Sequence, residues 1–81
     1  MVKNEIVFYT IWTSYDDKGN GRDNEAFDSY DEAFANRMNY ADWYRPNGCV
    51  SIKRYVVSKN IKVTDTWFIN QYGEIEAHYN H

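Results

Sequence analysis

Ile6-Val7-Phe8-Tyr9-Thr10-Ile11-Trp12-Thr13-Ser14-Tyr15 runs without a glycine, a proline or a charge, and it is built from aromatic, β-branched and hydroxyl side chains. Such residues suit a pleated strand. In alternation, Ile6, Phe8 and Trp12 fall on one side and Val7, Tyr9, Ile11 and Tyr15 on the other. Apolar groups on both sides mark a strand inside a sheet rather than at its edge.

The rest of the composition agrees with that reading. The 81 residues include eight Tyr, four Phe and three Trp but no Leu, the usual filler of helical cores. The core must therefore be aromatic and β-branched, as in a small sheet-dominated domain. One domain, residues 1–81, is all this length allows.

C-terminal to the first strand, Asp16-Asp17-Lys18-Gly19-Asn20-Gly21 reads as a turn, with Asn20-Gly21 suited to a tight hairpin, and Arg22 to Phe27 as a short return strand. Ser29-Tyr30-Asp31-Glu32 has the pattern of a capping box at a helix start. Tyr30, Ala33, Phe34, Met38, Ala41 and Tyr44 then recur near the helical period, which predicts a helix from Ser29 to about Tyr44, stopped by Arg45-Pro46-Asn47-Gly48.

Cys49 to Ser58 returns to a period of two, with Val50, Ile52 and Val56 on one face and Ser51, Lys53, Tyr55 and Val57 on the other. Ile61 to Asn70 follows, with Val63, Trp67 and Ile69 sharing a face. After a turn at Gln71-Tyr72-Gly73, Glu74 to Tyr79 places Ile75, Ala77 and Tyr79 inward and Glu74, Glu76 and His78 outward. The fold class is α+β: an antiparallel sheet of four or five strands with one helix packed on one face, in the order β-(β)-α-β-β-β.

One helix covers one face of such a sheet and leaves the other open. Its expected lining is Tyr9, Tyr15, Lys53, Tyr55, Val57 and Phe68, with Lys62, Glu76 and His78 toward the rim. Tyr-rich surfaces of this kind are typical of protein interfaces.

Charge narrows the function classes. The net charge is −3, and from Asp16 to Arg45 there are eight acids against four bases. General nucleic-acid binders are usually basic. Single-stranded nucleic acid stacked on Tyr9, Tyr55 and Phe68, with Lys53 and Lys62 on phosphates, is accordingly the alternative to a protein partner. Arg37, in the apolar helix stripe, and Arg54, on an inward strand position, each need a partner; Asp65 is a mate for either.

No cofactor or enzymatic activity is expected. The segment from Asp16 resembles a calcium loop at Asp16, Asn20 and Gly21, but Lys18 and Phe27 stand where ligands are required. His78 and His81 form an H-x-x-H that Cys49 could extend to three zinc ligands, without the paired spacing of zinc sites. As a nucleophile Cys49 has no histidine near it in sequence. Being the only cysteine, it excludes a disulfide within these 81 residues, and neither a secretory leader nor a membrane span is expected. The expected setting is the cytoplasm.

Nine Asn, eight Tyr, six Ile and five Lys against one Pro and no Leu is a bias toward AT-rich codons. In this the chain resembles the small, acidic, Tyr- and Asn-rich orphan proteins of phages and mobile elements in low-GC bacteria, a resemblance of composition. It implies a protein that binds and blocks a host enzyme, as anti-CRISPR inhibitors do, with the acidic stretch from Asp16 to Asp42, Asp31 and Glu32 included, imitating phosphates in a basic groove. The mismatch between two-sided strands and a single helix implies, independently, a small interaction module, either a homodimer or one that docks on another protein.

Overall fold

The computed structural model describes residues 5–14, 20–43 and 49–81, with backbone alone at 41–43. Tyr15, the turn from Asp16 to Gly19, Tyr44 and the helix stop at residues 45–48 lie outside the described residues. Five strands form one antiparallel sheet: β1 (Ile6–Ser14), β2 (Gly21–Phe27), β3 (Cys49–Val57), β4 (Ile61–Ile69) and β5 (Ile75–Asn80). Between β2 and β3 stand one short helix, α1 (Tyr30–Ala35), and a 3₁₀ segment (Arg37–Trp43). Across the sheet the strands run β2-β1-β3-β4-β5, an order that differs from their order in the chain.

The two-sided β1 is interior, paired with β2 on one side and β3 on the other. The β1–β3 ladder is regular over its whole length, from Ile6 opposite Val57 to Ser14 opposite Cys49. The other three ladders each contain a bulge. Asn24 on β2, Thr64 on β4 and Glu76 on β5 are the extra residues, since Ile11 and Trp12 face Glu25 and Asp23, Arg54 and Tyr55 face Asp65 and Val63, and Phe68 and Ile69 face Ala77 and Ile75.

Side chains repair two of the interruptions. Asn24 Nδ2 donates to the Ile11 carbonyl at 3.1 Å and to Thr13 Oγ1 at 2.9 Å. Thr64 Oγ1 accepts from Arg54 Nη1 at 2.8 Å and donates to Asp65 Oδ2 at 2.8 Å.

The bulges correct the predicted alternation. Val63 pairs with Tyr55 and lies across the sheet from Trp67 and Ile69. Ala77 pairs with Phe68 and Tyr79 with Thr66, whereas His78 pairs with Trp67, so of the three residues expected inward on β5 only Ile75 shares the face of Ile69. A strict period of two fails wherever one strand carries an extra residue.

The predicted helix is also shorter. Ser29, extended at φ −139° and ψ 157°, caps α1 by accepting from the Glu32 amide at 3.1 Å. After six residues the α-helix is closed by its C-cap, Asn36, whose side chain donates to the Glu32 carbonyl at 2.8 Å and accepts from Asn39 at 3.2 Å. Asparagine side chains that bond local backbone compete with helix propagation, and the chain continues as 3₁₀ turns kinked at Tyr40.

Both helical pieces lie on one face of the sheet, the helix face. There Ile11, Phe27, Val50, Ile52, Ile69 and Ala33 form the buried core, with Tyr9, Tyr30, Phe34, Tyr40 and Trp67 packed around it. Arg37 secures the 3₁₀ segment. It lies over the Phe34 ring at 3.6 Å and donates to the carbonyls of Gly73 at 2.5 Å and Phe34 at 2.7 Å, so its partners are not Asp65. Among the described residues no helix is long and apolar enough to cross a membrane.

Candidate protein interface

On the face opposite α1, the open face, the ladders bring side chains into rows. Ile6, Val57 and Ile61 form the first, and Phe8, Tyr55 and Val63 the second. Thr10, Lys53, Thr66 and Tyr79 form the third, and Trp12, Ser51, Phe68 and Ala77 the fourth. The first two rows hold six apolar side chains and no charge. Ile6 is 61% and Ile61 68% exposed, and no described element packs over them.

Further along the strands the face changes character. Thr10, Ser51 and Thr66 are buried although they lie on the open side. Trp12 and Phe68 flank Ser51 in register. Lys53 Nζ lies 4.2 Å from the centre of the Trp12 ring, and Phe68 meets Tyr79 edge-on at 5.6 Å. Small hydroxyl residues beneath large aromatic ones let the sheet carry many rings without a second layer over it.

Phe8 stacks on Tyr55 at 5.1 Å with their planes 12° apart. Asp23, on the neighbouring edge strand, fixes this pair: Tyr55 Oη donates to its Oδ2 at 2.6 Å and Thr10 Oγ1 to its Oδ1 at 2.6 Å. Burial, and then the hydrogen bond to Asp23 and its charge, push the Tyr55 phenol well above its ordinary range. The ring is held neutral and donating.

The expected lining of this face therefore needs one correction and has several additions. Lys53, Tyr55, Val57 and Phe68 are on it. Tyr9 is not: it points to the helix face, 6.4 Å from Tyr30 and 6.3 Å from Trp67. Tyr15 lies outside the described residues. Phe8 takes the place expected for Tyr9, and Ile6, Trp12, Ile61 and Val63 join it. The signal for three of them was present, since Ile6, Phe8 and Trp12 share one side of β1.

Lys62 pairs with Val56 and His78 with Trp67, so neither borders the open face as expected. Asp31 and Glu32 are exposed in the first turn of α1, on the far side of the sheet. Tyr55 and Phe68 thus belong to one side of the molecule and Asp31 and Glu32 to the other.

The helix face has a polar cluster of its own. Asp65 accepts from His78 Nε2 at 2.8 Å, from Asn80 at 2.5 Å and from Thr64, and the His78 ring stacks on Trp67 at 4.6 Å. Burial alone would raise the Asp65 carboxyl, but the hydrogen bonds from His78 and Thr64 and the charges of His78 and Arg54 outweigh it and hold it below its ordinary value. Arg54 and Asp65, expected as an ion pair, stand opposite each other in register but do not form one; Thr64 links the two side chains instead.

The three residues considered for zinc have separate surroundings. His78 is held by Asp65, and His81 Nε2 is 3.0 Å from Thr66 Oγ1. Cys49 pairs with Ser14 at the other end of the strands, and burial, only partly offset by a hydrogen bond with Ser14, raises its thiol. A raised thiol is a poor nucleophile at neutral pH. Phe27, at the last position of the calcium-like segment, is in the core.

Comparison of the chain with family models, with curated proteins and with solved structures finds no match.

Proposed function

We propose that this chain is a non-enzymatic protein-interaction module whose binding surface is the open sheet face. One observation carries the reading: the two adjoining rows Ile6, Val57, Ile61 and Phe8, Tyr55, Val63 form a block with no charged residue at its ladder positions, at one end of a sheet face with no described element over it. Contiguous apolar surface on a small domain marks association, whereas single exposed apolar residues are ordinary. The stacked Phe8–Tyr55 pair, locked by Asp23, gives this block a rigid aromatic centre of the kind that dominates interface energetics.

Charge favours a protein over a nucleic acid. Lys53 is the one cation at a ladder position on this face among the described residues, and it lies over Trp12. Arg54 and Lys62 belong to the helix face. Phosphate recognition needs cations beside the stacking rings.

The test is site-specific photo-crosslinking in cells that naturally express the chain, with benzoylphenylalanine replacing Ile61 on the open face or Glu32 on α1. Discrete protein adducts from position 61 and none from position 32 are the expected result. No protein adduct from position 61, or equal adducts from both, would overturn the reading.

A further inference from the structure

Resting on that reading, we infer that the occupant of the open face is a second copy of this chain, so that two sheets meet face to face with their helices outermost.

The dimensions fit. β1, β3 and β4 each have nine residues, β2 seven and β5 six, and these 40 strand residues at about 4.8 Å spacing and about 3.3 Å rise give a face of roughly 630 Å². A standard protein interface takes about 600–1,000 Å² from each partner. One copy of this face against another is therefore of the size that a specific dimer requires. Sheets pack in this way about 10 Å apart, a gap that aromatic side chains from both sides fill.

Charge fits as well. A twofold dimer presents the same patch to itself, so any net charge on the patch is doubled against its own sign. Asp23 and Lys53 are the charged residues at ladder positions on the described open face, one of each sign. Both are engaged within the chain, Asp23 by Thr10 and Tyr55 and Lys53 by Trp12. The face is neutral in a chain of net charge −3. Its acidic groups on α1, Asp31 and Glu32, stand on the other side of the sheet, so face-to-face association holds them apart.

The experiment is light scattering on the full chain after size-exclusion chromatography, over concentrations from about 1 μM to 1 mM, a range that spans weak to firm association. Three chains are compared: the wild type, the double variant Ile6→Lys/Ile61→Lys, and Glu32→Lys. Both isoleucines are exposed in the single chain, so their replacement leaves the fold intact, which circular dichroism verifies. The expected result is a mass near twice 9.7 kDa for the wild type and Glu32→Lys, and a dissociation constant raised at least about tenfold in the double variant, as for loss of interface anchors.

A wild type that stays monomeric throughout overturns the inference. If position 61 then still crosslinks to a different protein, the interaction-module reading stands; if it crosslinks to none, both fall. A dimer indifferent to Ile6→Lys/Ile61→Lys places the contact elsewhere and overturns it too. So does a wild-type monomer that binds a labelled single-stranded oligonucleotide in a salt-dependent manner, which assigns the face to nucleic acid.

Discussion

Thr13 and Ser51 are both hydroxyl residues with no exposed surface, and they stand in opposite energetic positions. Thr13 Oγ1 receives a hydrogen bond from Asn24, which also satisfies the Ile11 carbonyl beside the bulge. Ser51 Oγ has no partner among the described residues. A buried polar group left unpaired costs about 1–3 kcal/mol. The two sites should therefore respond oppositely to truncation. Ser51→Ala should leave urea-unfolding stability unchanged or raise it by up to about 1 kcal/mol, since the orphan is removed. Asn24→Ala should lower it by about 1–3 kcal/mol, because it strands Thr13 and Ile11 together. If Ser51→Ala proves as damaging as Asn24→Ala, the hydroxyl has a partner after all.

Among the secondary-structure elements, α1 depends most on a single side chain. Ser29 supplies its cap through the Glu32 amide, and a helix of six residues has little else to hold its first turn. Ser29→Ala should lower stability by about 1 kcal/mol, measured by chemical unfolding, while Ser29→Asp should retain it. This start was legible because a capping box is a local signal. The end was not, because Tyr30, Ala33, Phe34 and Met38 keep a helical period through the change to 3₁₀ geometry, and the signal that mattered was the pair Asn36 and Asn39 bonding to each other and to the backbone.

Strands divide in the same way. The regular β1–β3 ladder follows the simple alternation of its sequence, whereas β4 and β5 depart from it at Thr64 and Glu76, whose identities do not announce a bulge. The candidate interface inherits both outcomes. Lys53, Tyr55 and Phe68 could be placed from β3 and β4 alone. Tyr9 could not, because β1 is apolar on both sides and the choice between Phe8 and Tyr9 is made by where Tyr30 and Trp67 pack.

For the molecule as a whole, two ionisable groups define opposite limbs of its pH dependence. Tyr55 is raised in the folded state, so folding retains its proton, and the stability it contributes is full below about pH 10 and is lost as pH climbs through the higher folded value. Tyr30 and Tyr40 are raised also, chiefly by burial, and act in the same direction. Asp65 is lowered, so its contribution is present above about pH 4 and is lost as pH falls through its folded value. Thermal unfolding midpoints should therefore fall on both sides of a plateau. Tyr55→Phe should make the alkaline limb shallower, with Tyr30, Tyr40 and Cys49 keeping the remainder, and Asp65→Asn should make the acid limb shallower, each leaving the other unchanged.

Three of the four ladders are interrupted, and two of the extra residues, Asn24 and Glu76, lie on the strands at the two outer edges of the sheet. A bulge sharpens the local twist and turns backbone donors and acceptors out of line. Edges so bent are poor templates for stacking strand upon strand in register. The irregularities that hide the register of this Tyr-, Ile- and Val-rich chain from a simple reading of its sequence are the same ones that spoil its edges as templates for sideways growth.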